Sequence, residues 1–483
     1  MTSDEERPAV TRAPNRQLSA LIEQAGLSNK QLARAIRETA ARYGSDARCT
    51  HTSVQRWREG RRSRAVPPAL IAETLSLALG RVVTPAEIGM PVDGEPSRPL
   101  LDTGFIDGPE ELAAAARRLW EGDLGQENAI RADLPIGALS GPALHWLLAE
   151  ELPAAIGLGP GPGVTAADVH RLRATLQAFE LIAGRHGGAA AHRPVVQYLL
   201  SDLGRLLTGS YPAEVGRALF RAAAEGALHA GSCAQESGLP GLGRRYRLLG
   251  LFLAHRAGDR MLGGRALVAL AASYTAPADQ PAALDLLRAA VLGTRHQPGP
   301  ALAAAHAAEA RAYATLRDAA AADRALALAR AAAAAEAVTE AEAEVMATTT
   351  EPDPADEPAA APHPFDPREL AEAEIRCRLA LGEHEAARRA AELALPDYGP
   401  DDTVRSVLVG CLLATARIRG GLLDGACAAG EQALRQAAGV QSAEVEAQLG
   451  RLAAELEAQR EGGRAAALAA LIRARRQALP AAA

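Results

Sequence analysis

The sequence predicts an all-α protein, with a compact helical head followed by a long helical array. Three observations carry that reading. Aromatic residues are 3 % of the 483 residues, too few for large sheets built on Tyr, Phe and Trp. Alanine is about a quarter of the chain, and alanine and leucine lose little rotamer freedom in a helix. Apolar residues recur at one-turn spacing in segment after segment, with Gly and Pro between them.

Charge divides the chain. Residues 1–90 hold 14 basic and 9 acidic groups, net +5, whereas residues 91–483 hold 38 and 49, net −11. A basic head on an acidic body implies an anionic partner for the head. Arginine does nearly all the basic work, since Lys30 is the sole lysine. That bias fits a GC-rich genome and says nothing about fold.

Several classes drop out. No uninterrupted apolar window of about 18 residues appears, so no membrane span is expected. Met1 to Val10 is acidic and lacks an apolar stretch, so a secretory signal is not expected. The five cysteines (Cys49, Cys233, Cys377, Cys411, Cys427) are odd in number and scattered, without a CxxC. Reduced thiols and a cytoplasmic, nucleoid-associated location are the expectation, with neither a disulfide framework nor a zinc site.

The chain divides by composition. Residues 1–14 read as disordered, 15–90 as the head, 91–109 as a Pro/Gly linker and 110–156 as a helical connector. Gly157–Gly163 (GLGPGPG) reads as a hinge, and 164–335 as helical repeats. Residues 336–367, acidic and Pro-rich, read as a disordered insertion, and 368–480 as C-terminal repeats.

The body repeats. Ala271, Tyr274, Ala283, Leu287 and Ala290 recur 39 residues later as Ala310, Tyr313, Ala322, Leu326 and Ala329. Small residues let two antiparallel helices approach, and the tyrosine and leucine fill the groove between them. This spacing resembles the tetratricopeptide repeat, a helix-turn-helix unit of about 34 residues that stacks into an α-solenoid. Weaker copies are Ala387, Ala391 and Ala394 after Gly382, and Ala414, Gly421, Ala426, Gly430 and Ala433.

In the head, Leu18, Leu21 and Ile22 share one face of a first helix that Gly26 ends. Ser28 and Gln31 form a capping box for a second, which buries Leu32, Ala33 and Ile36. Thr50 or Thr52 caps a third, with Val54 and Trp57 inward and Gly60 as its stop. A fourth follows Pro67–Pro68, with Leu70, Ile71, Leu75 and Leu79 apolar. The run A-G-L-S-x-x-Q-L-A followed by S-V-x-x-W-x-x-G resembles a repressor-type helix-turn-helix domain of phage origin. It departs in having sixteen residues, Arg34 to Cys49, between the second helix's Ala33 and the cap of the third.

Between Arg16 and Val66 the balance is 11 basic to 4 acidic groups, net +7, the charge that backbone phosphates need. The third helix turns His51, Thr52, Gln55, Arg56 and Arg58 outward, toward a major groove. Arg56 suits guanine and Gln55 adenine, each good for about 1–3 kcal/mol of discrimination. The repressor pattern implies His51, Thr52 and Arg56 as the base readers. Ser28, Asn29 and Lys30 stand at a positive helix end that favours a phosphate. Arg61, Arg62 and Arg64 follow the recognition helix, toward the DNA backbone. Cys49 is expected at the surface beside His51.

Signatures of catalysis are missing: no HExxH, no P-loop and no G-x-S-x-G elbow occurs. The expectation is no enzyme, no cofactor and no metal. The prolines of Gly157–Gly163 remove amide donors that a phosphate would need, and Gly241, Gly243, Arg244 and Arg245 mark a helix boundary.

A larger resemblance spans nearly the whole chain. N-K-Q-L-A at 29–33, H-T-S-V-x-R-W at 51–57, L-I-A-E-T-L-S at 70–76, L-W-E-G-D-L at 119–124, H-G-G at 186–188, Gly209–Ala222 and A-G-D-R at 257–260 resemble a family of actinobacterial regulators. That family joins a repressor-like head to a tetratricopeptide body. The resemblance implies negative control of development or secondary metabolism. The chain departs from it at Gly231–Arg247, which lacks the aromatic-rich first repeat, so a loosened repeat is expected there. The function read from the sequence is a DNA-binding transcriptional regulator. It binds double-stranded DNA as a homodimer, and its solenoid takes a protein, peptide or small effector. The alternative is a tetratricopeptide scaffold that never touches DNA.

Overall fold

A computed structural model gives the fold. It describes residues 14–42, 49–61, 66–79, 83, 85 and 87–90, and from 105 to 478 all but 151, 153, 160, 296–299, 350–365 and 460–462. The chain forms two compact units, Met1–Thr103 and Gly104–Ala483. Both are helical, as expected.

The first unit holds α1 (Arg16–Gln24), α2 (Asn29–Arg42), α3 (His51–Arg58) and α4 (Pro68–Leu79). Leu18, Ile22, Leu32, Ile36, Val54, Trp57, Ile71 and Leu75 meet in one core, closed by Val83, Ile88 and Met90. The caps follow the sequence. Asn15 Oδ1 accepts from Leu18 N, and Gly26 takes the left-handed conformation (φ 64°) that stops the helix. Ser28 N and Oγ both donate to Gln31 Oε1. At α3 the cap is Thr50, paired reciprocally with Ser53. The long gap after Ala33 is filled in part by α2 itself, which continues to Arg42.

The second unit opens with α5 (Pro109–Leu124), the short α6 (Asn128–Arg131) and α7 (Ser140–Leu148). Then come α8 (Ala166–His186), α9 (Gly188–Tyr198), the short α10 (Gly204–Leu207), α11 (Ala213–Glu236) and α12 (Pro240–Arg256). Five helix pairs follow: α13 (Arg260–Ala272) with α14 (Gln280–Thr294), α15 (Pro300–Thr315) with α16 (Ala319–Thr349), α17 (Pro367–Leu381) with α18 (His384–Ala394), α19 (Thr403–Arg419) with α20 (Leu423–Gln436), and α21 (Ala443–Glu457) with α22 (Gly463–Ala478). The 39-residue register falls on successive pairs. Ala271, Ala283, Leu287 and Ala290 are buried between α13 and α14, and Ala310, Ala322, Leu326 and Ala329 between α15 and α16.

Four expectations shift. Gly157, Leu158 and Gly163 are pinned, where a hinge was expected over Gly157–Gly163. β1 (Gly157–Leu158) pairs antiparallel with β2 (Ser210–Tyr211), and Gly163 bridges to Ser210. A Cβ at Gly159 would lie 2.1 Å from the Thr208 carbonyl oxygen, and one at Gly157 2.5 Å from that of Gly209. These glycines serve close backbone approach, a role composition does not distinguish from flexibility. The linker expected to run to 109 is shorter, because Phe105 already stacks on His145 of the second unit at 4.2 Å. The insertion expected to be disordered from 336 begins as helix, since α16 continues to Thr349. Its Ala and Glu residues are strong helix formers. Residues 350–365 lie outside the described residues. Finally, Gly231–Arg247 is not loosened. Gly231 and Gly243 bring α11 and α12 so close that a Cβ on Gly243 would sit 2.7 Å from Gly231 O.

Trp146 on α7 anchors the start of this unit. It is fully buried and lies against Gly263 of α13 and Gly293 of α14, where a Cβ would fall 2.3 Å from its ring in each case. Arg260 donates to the Trp146 carbonyl and, at 2.6 Å, to that of Ala149. Trp146→Ala is therefore expected to lower stability in urea unfolding by about 3–5 kcal/mol. Leu148→Ala, at a residue 71 % exposed, should leave the midpoint unchanged.

Candidate functional site

The outer face of α3 is the candidate interface. Val54 and Trp57 are buried, and on the other side His51, Thr52, Gln55 and Arg56 are exposed. Lys30 in the first turn of α2 and Arg61 beyond α3 are exposed as well. The side chains of Lys30, Arg56 and Arg61 form no hydrogen bond or ion pair among the described residues, so their charges face solvent. His51 Nε2 and Thr52 Oγ1 lie 3.5 Å apart, too far for a strong bond.

Other predicted contacts are engaged within the protein. Arg58 turns inward: Nε donates to Ser19 Oγ, Nη1 to Asn29 Oδ1 and Nη2 to Glu23 Oε1, each at 3.2 Å. It thus braces α3 against α1 and α2. Asn29 Nδ2 donates to Gln55 Oε1 at 2.9 Å, and Gln55 Nε2 to Glu59 Oε1 at 3.0 Å. Ser28 serves its own cap. Arg62 and Arg64 lie outside the described residues. Cys49, expected at the surface, is 1 % exposed, and burial pushes its thiol up to about 11.

Asn15, by sequence only the start of the first helix, is its N-cap and holds more than that helix. Its amide N donates to the Arg58 carbonyl at 2.8 Å, and its Nδ2 to the Ile88 carbonyl at 2.6 Å. One residue thereby fixes the end of α3 against the start of α1. The signal available was only that Asn caps helices well.

The second unit carries two polar constellations that no local spacing announced. Asp123 on α5 is 6 % exposed. Its Oδ2 accepts from Tyr246 OH at 2.7 Å and lies 2.9 Å from His192 Nε2, and His192 Nδ1 lies 3.2 Å from Ser237 Oγ. Ser237 Oγ also donates to the Cys233 carbonyl at 2.8 Å, so its proton is already directed elsewhere. Burial, then Asp123, raises the Tyr246 hydroxyl well above its usual range. The hydroxyl stays protonated and serves as donor.

The other constellation is arginine-rich. Arg376 of α17 donates to Glu444 Oε1 of α21 at 3.1 Å. The same carboxylate acts electrostatically on Arg247 (α12), Arg311 (α15) and Arg451 (α21). Burial, then Arg244, depresses Arg247 to about 10; burial, then Arg376, depresses Arg311. Arg247 Nε has no hydrogen-bond partner. Arg311 also lines a cavity of about 80 Å³ with Tyr274, Gln280, Leu287 and Thr315. Arg376 thus pairs with the Glu444 carboxylate directly, while Arg247, Arg311 and Arg451 feel its charge without a bond to it. Among the described residues, one set fits a metal: Asp107, His145 and His255. They are 38 and 110 residues apart in sequence, which is why no ligand spacing was visible.

The SP15 N-terminal domain family matches residues 18–91, a span that runs from α1 through α4. No curated protein matches the chain.

Two outcomes follow. Arg58→Ala should speed amide exchange across α1–α3, equivalent to about 1–2 kcal/mol, because it removes a brace and leaves partners unpaired. Arg56→Ala, on the exposed face, should not. In the second unit, Glu444→Gln should lower the melting temperature, because it removes the charge that Arg376 bonds across α17 and α21. An unchanged melting temperature would speak against that pair.

Proposed function

We propose that the protein is a DNA-binding transcriptional regulator. The observation that carries this reading is the two-sided α3. Its inner side is locked into a closed core by Val54 and Trp57, and its outer side presents His51, Thr52 and Arg56 beside the exposed Lys30 and Arg61. A short helix held rigidly with basic and hydrogen-bonding side chains outward suits a major groove. The head resembles a repressor-type helix-turn-helix domain, and the helix pairs of the second unit resemble a tetratricopeptide solenoid. In this reading Arg56, His51 and Thr52 contact bases, while Lys30 and Arg61, with Arg62 and Arg64, contact phosphates. Asn29, Gln55 and Arg58 hold the reading helix in place. A single short helix offers limited discrimination, so paired half-sites and a homodimer complete the site. In this reading the second unit takes a protein, peptide or small-molecule effector.

The test is binding of the full chain to genomic DNA fragments, followed by fluorescence anisotropy on the selected sequence. Log affinity should fall with log salt at a slope of about −3 to −5, as for three to five neutralised phosphates. Arg56→Ala should flatten the preference among sequences, whereas Arg61→Ala should weaken all of them alike. Absence of binding to any fragment at low salt would leave the scaffold reading in its place.

A further inference from the structure

Asp107, His145 and His255 reach one point from three elements: the segment before α5, the middle of α7 and the last turn of α12. One ligand atom of each lies within 4.8 Å of the other two. Asp107 Oδ2 is 3.6 Å from His145 Nε2, and Asp107 Oδ1 is 3.8 Å from His255 Nε2. Both gaps are too long for hydrogen bonds. Asp107 Oδ1 and His255 Nε2 are nonetheless buried without a hydrogen-bond partner, and His255 as a residue is 5 % exposed. A buried acceptor or donor left this way costs about 1–3 kcal/mol. Two such atoms facing each other across a gap suggest a third body between them.

The gap has the size of a metal ion. Bonds of about 2.0–2.2 Å at tetrahedral angles place neighbouring ligand atoms about 3.3–3.6 Å apart. The two Asp107–His separations, one from each carboxylate oxygen, match that edge or exceed it by a few tenths of an ångström, and the three ligand atoms all lie within 4.8 Å of one another. Phe105 shapes the surroundings. It stacks on His145 at 4.2 Å, meets His255 edge-on at 5.1 Å and touches Phe252 at 4.5 Å. An apolar wall of this kind excludes water and fixes ring orientation.

We propose that Asp107, His145 and His255 bind one divalent transition-metal ion of the zinc class through the carboxylate and the two Nε2 atoms. Two imidazoles and a carboxylate are a borderline donor set, which favours zinc, cobalt or nickel over magnesium or calcium. The His145 and Asp107 side chains are 43 % and 44 % exposed, so a fourth position opens to solvent. The ion also clips the Phe105–Asp107 segment to α7 and α12.

The test uses the full chain, stripped with a chelator and titrated with Co²⁺ alone. The expected result is one equivalent bound, with the visible absorption of tetrahedral cobalt and a rise in melting temperature that Zn²⁺ reproduces and Mg²⁺ does not. Asp107→Asn and His145→Gln, both at half-exposed positions, should each weaken binding at least tenfold while circular dichroism stays unchanged. His255→Gln serves as a third variant. No stoichiometric cobalt band, or equal binding by the Asp107→Asn/His145→Gln double variant, would overturn the proposal.

Discussion

Helices built from alanine hold together only if their backbones come close. A buried alanine removes little surface from water, and each buried methylene is worth about 0.8 kcal/mol. The second unit therefore depends on near-contact of helix backbones, repeated many times. The α11–α12 crossing at Gly231 and Gly243 shows the limit, and the approach of Gly410 to the Ala433 methyl in the α19–α20 pair repeats it. Such thin interfaces tolerate no added bulk. They also leave arginine to bridge neighbouring helices. Arg405 joins Asp366 and Glu369, Arg417 joins Glu392, and Arg464 joins Glu431. Such pairs, partly open to solvent, contribute modest stability. Their effect here is on register, because each fixes which turn of one helix faces which turn of the next.

The buried Asp123 works differently. A carboxylate removed from water must be paired and hydrogen-bonded, and this one is shared by Tyr246 and His192. It ties α5, α9 and α12 at one point, close to where Ser237 ends α11. Losing one member would strand the others. Such a chain gives the start of the unit a unique arrangement that interchangeable alanine contacts do not supply.

The head was legible in the sequence because its information is local. Capping pairs three residues apart and apolar positions one turn apart sufficed to place α1 to α4 and most of their core. The same locality explains what was missed. Arg58 looks like any outward arginine until Ser19, Glu23 and Asn29 are seen around it. Asn29 and Gln55 have the side chains that DNA contacts need, and the bond between them is a separate fact that their spacing does not announce. Gly157–Gly163 failed for another reason, since absence of a side chain permits both bending and close packing. Asp107, His145 and His255 fall on three elements far apart in the chain, and no pattern of spacing could join them.

One residue carries a consequence of its own. Lys30, exposed in the first turn of α2, is the chain's only lysine. Every other cationic side chain that could dock an anion is a guanidinium, which acylating and amine-crosslinking reagents pass over. Apart from the α-amino terminus, an amine-directed dye or crosslinker would enter the chain only at Lys30, in the first turn of α2. The protein thus offers, without any engineering, a built-in attachment point for measuring distances from that helix.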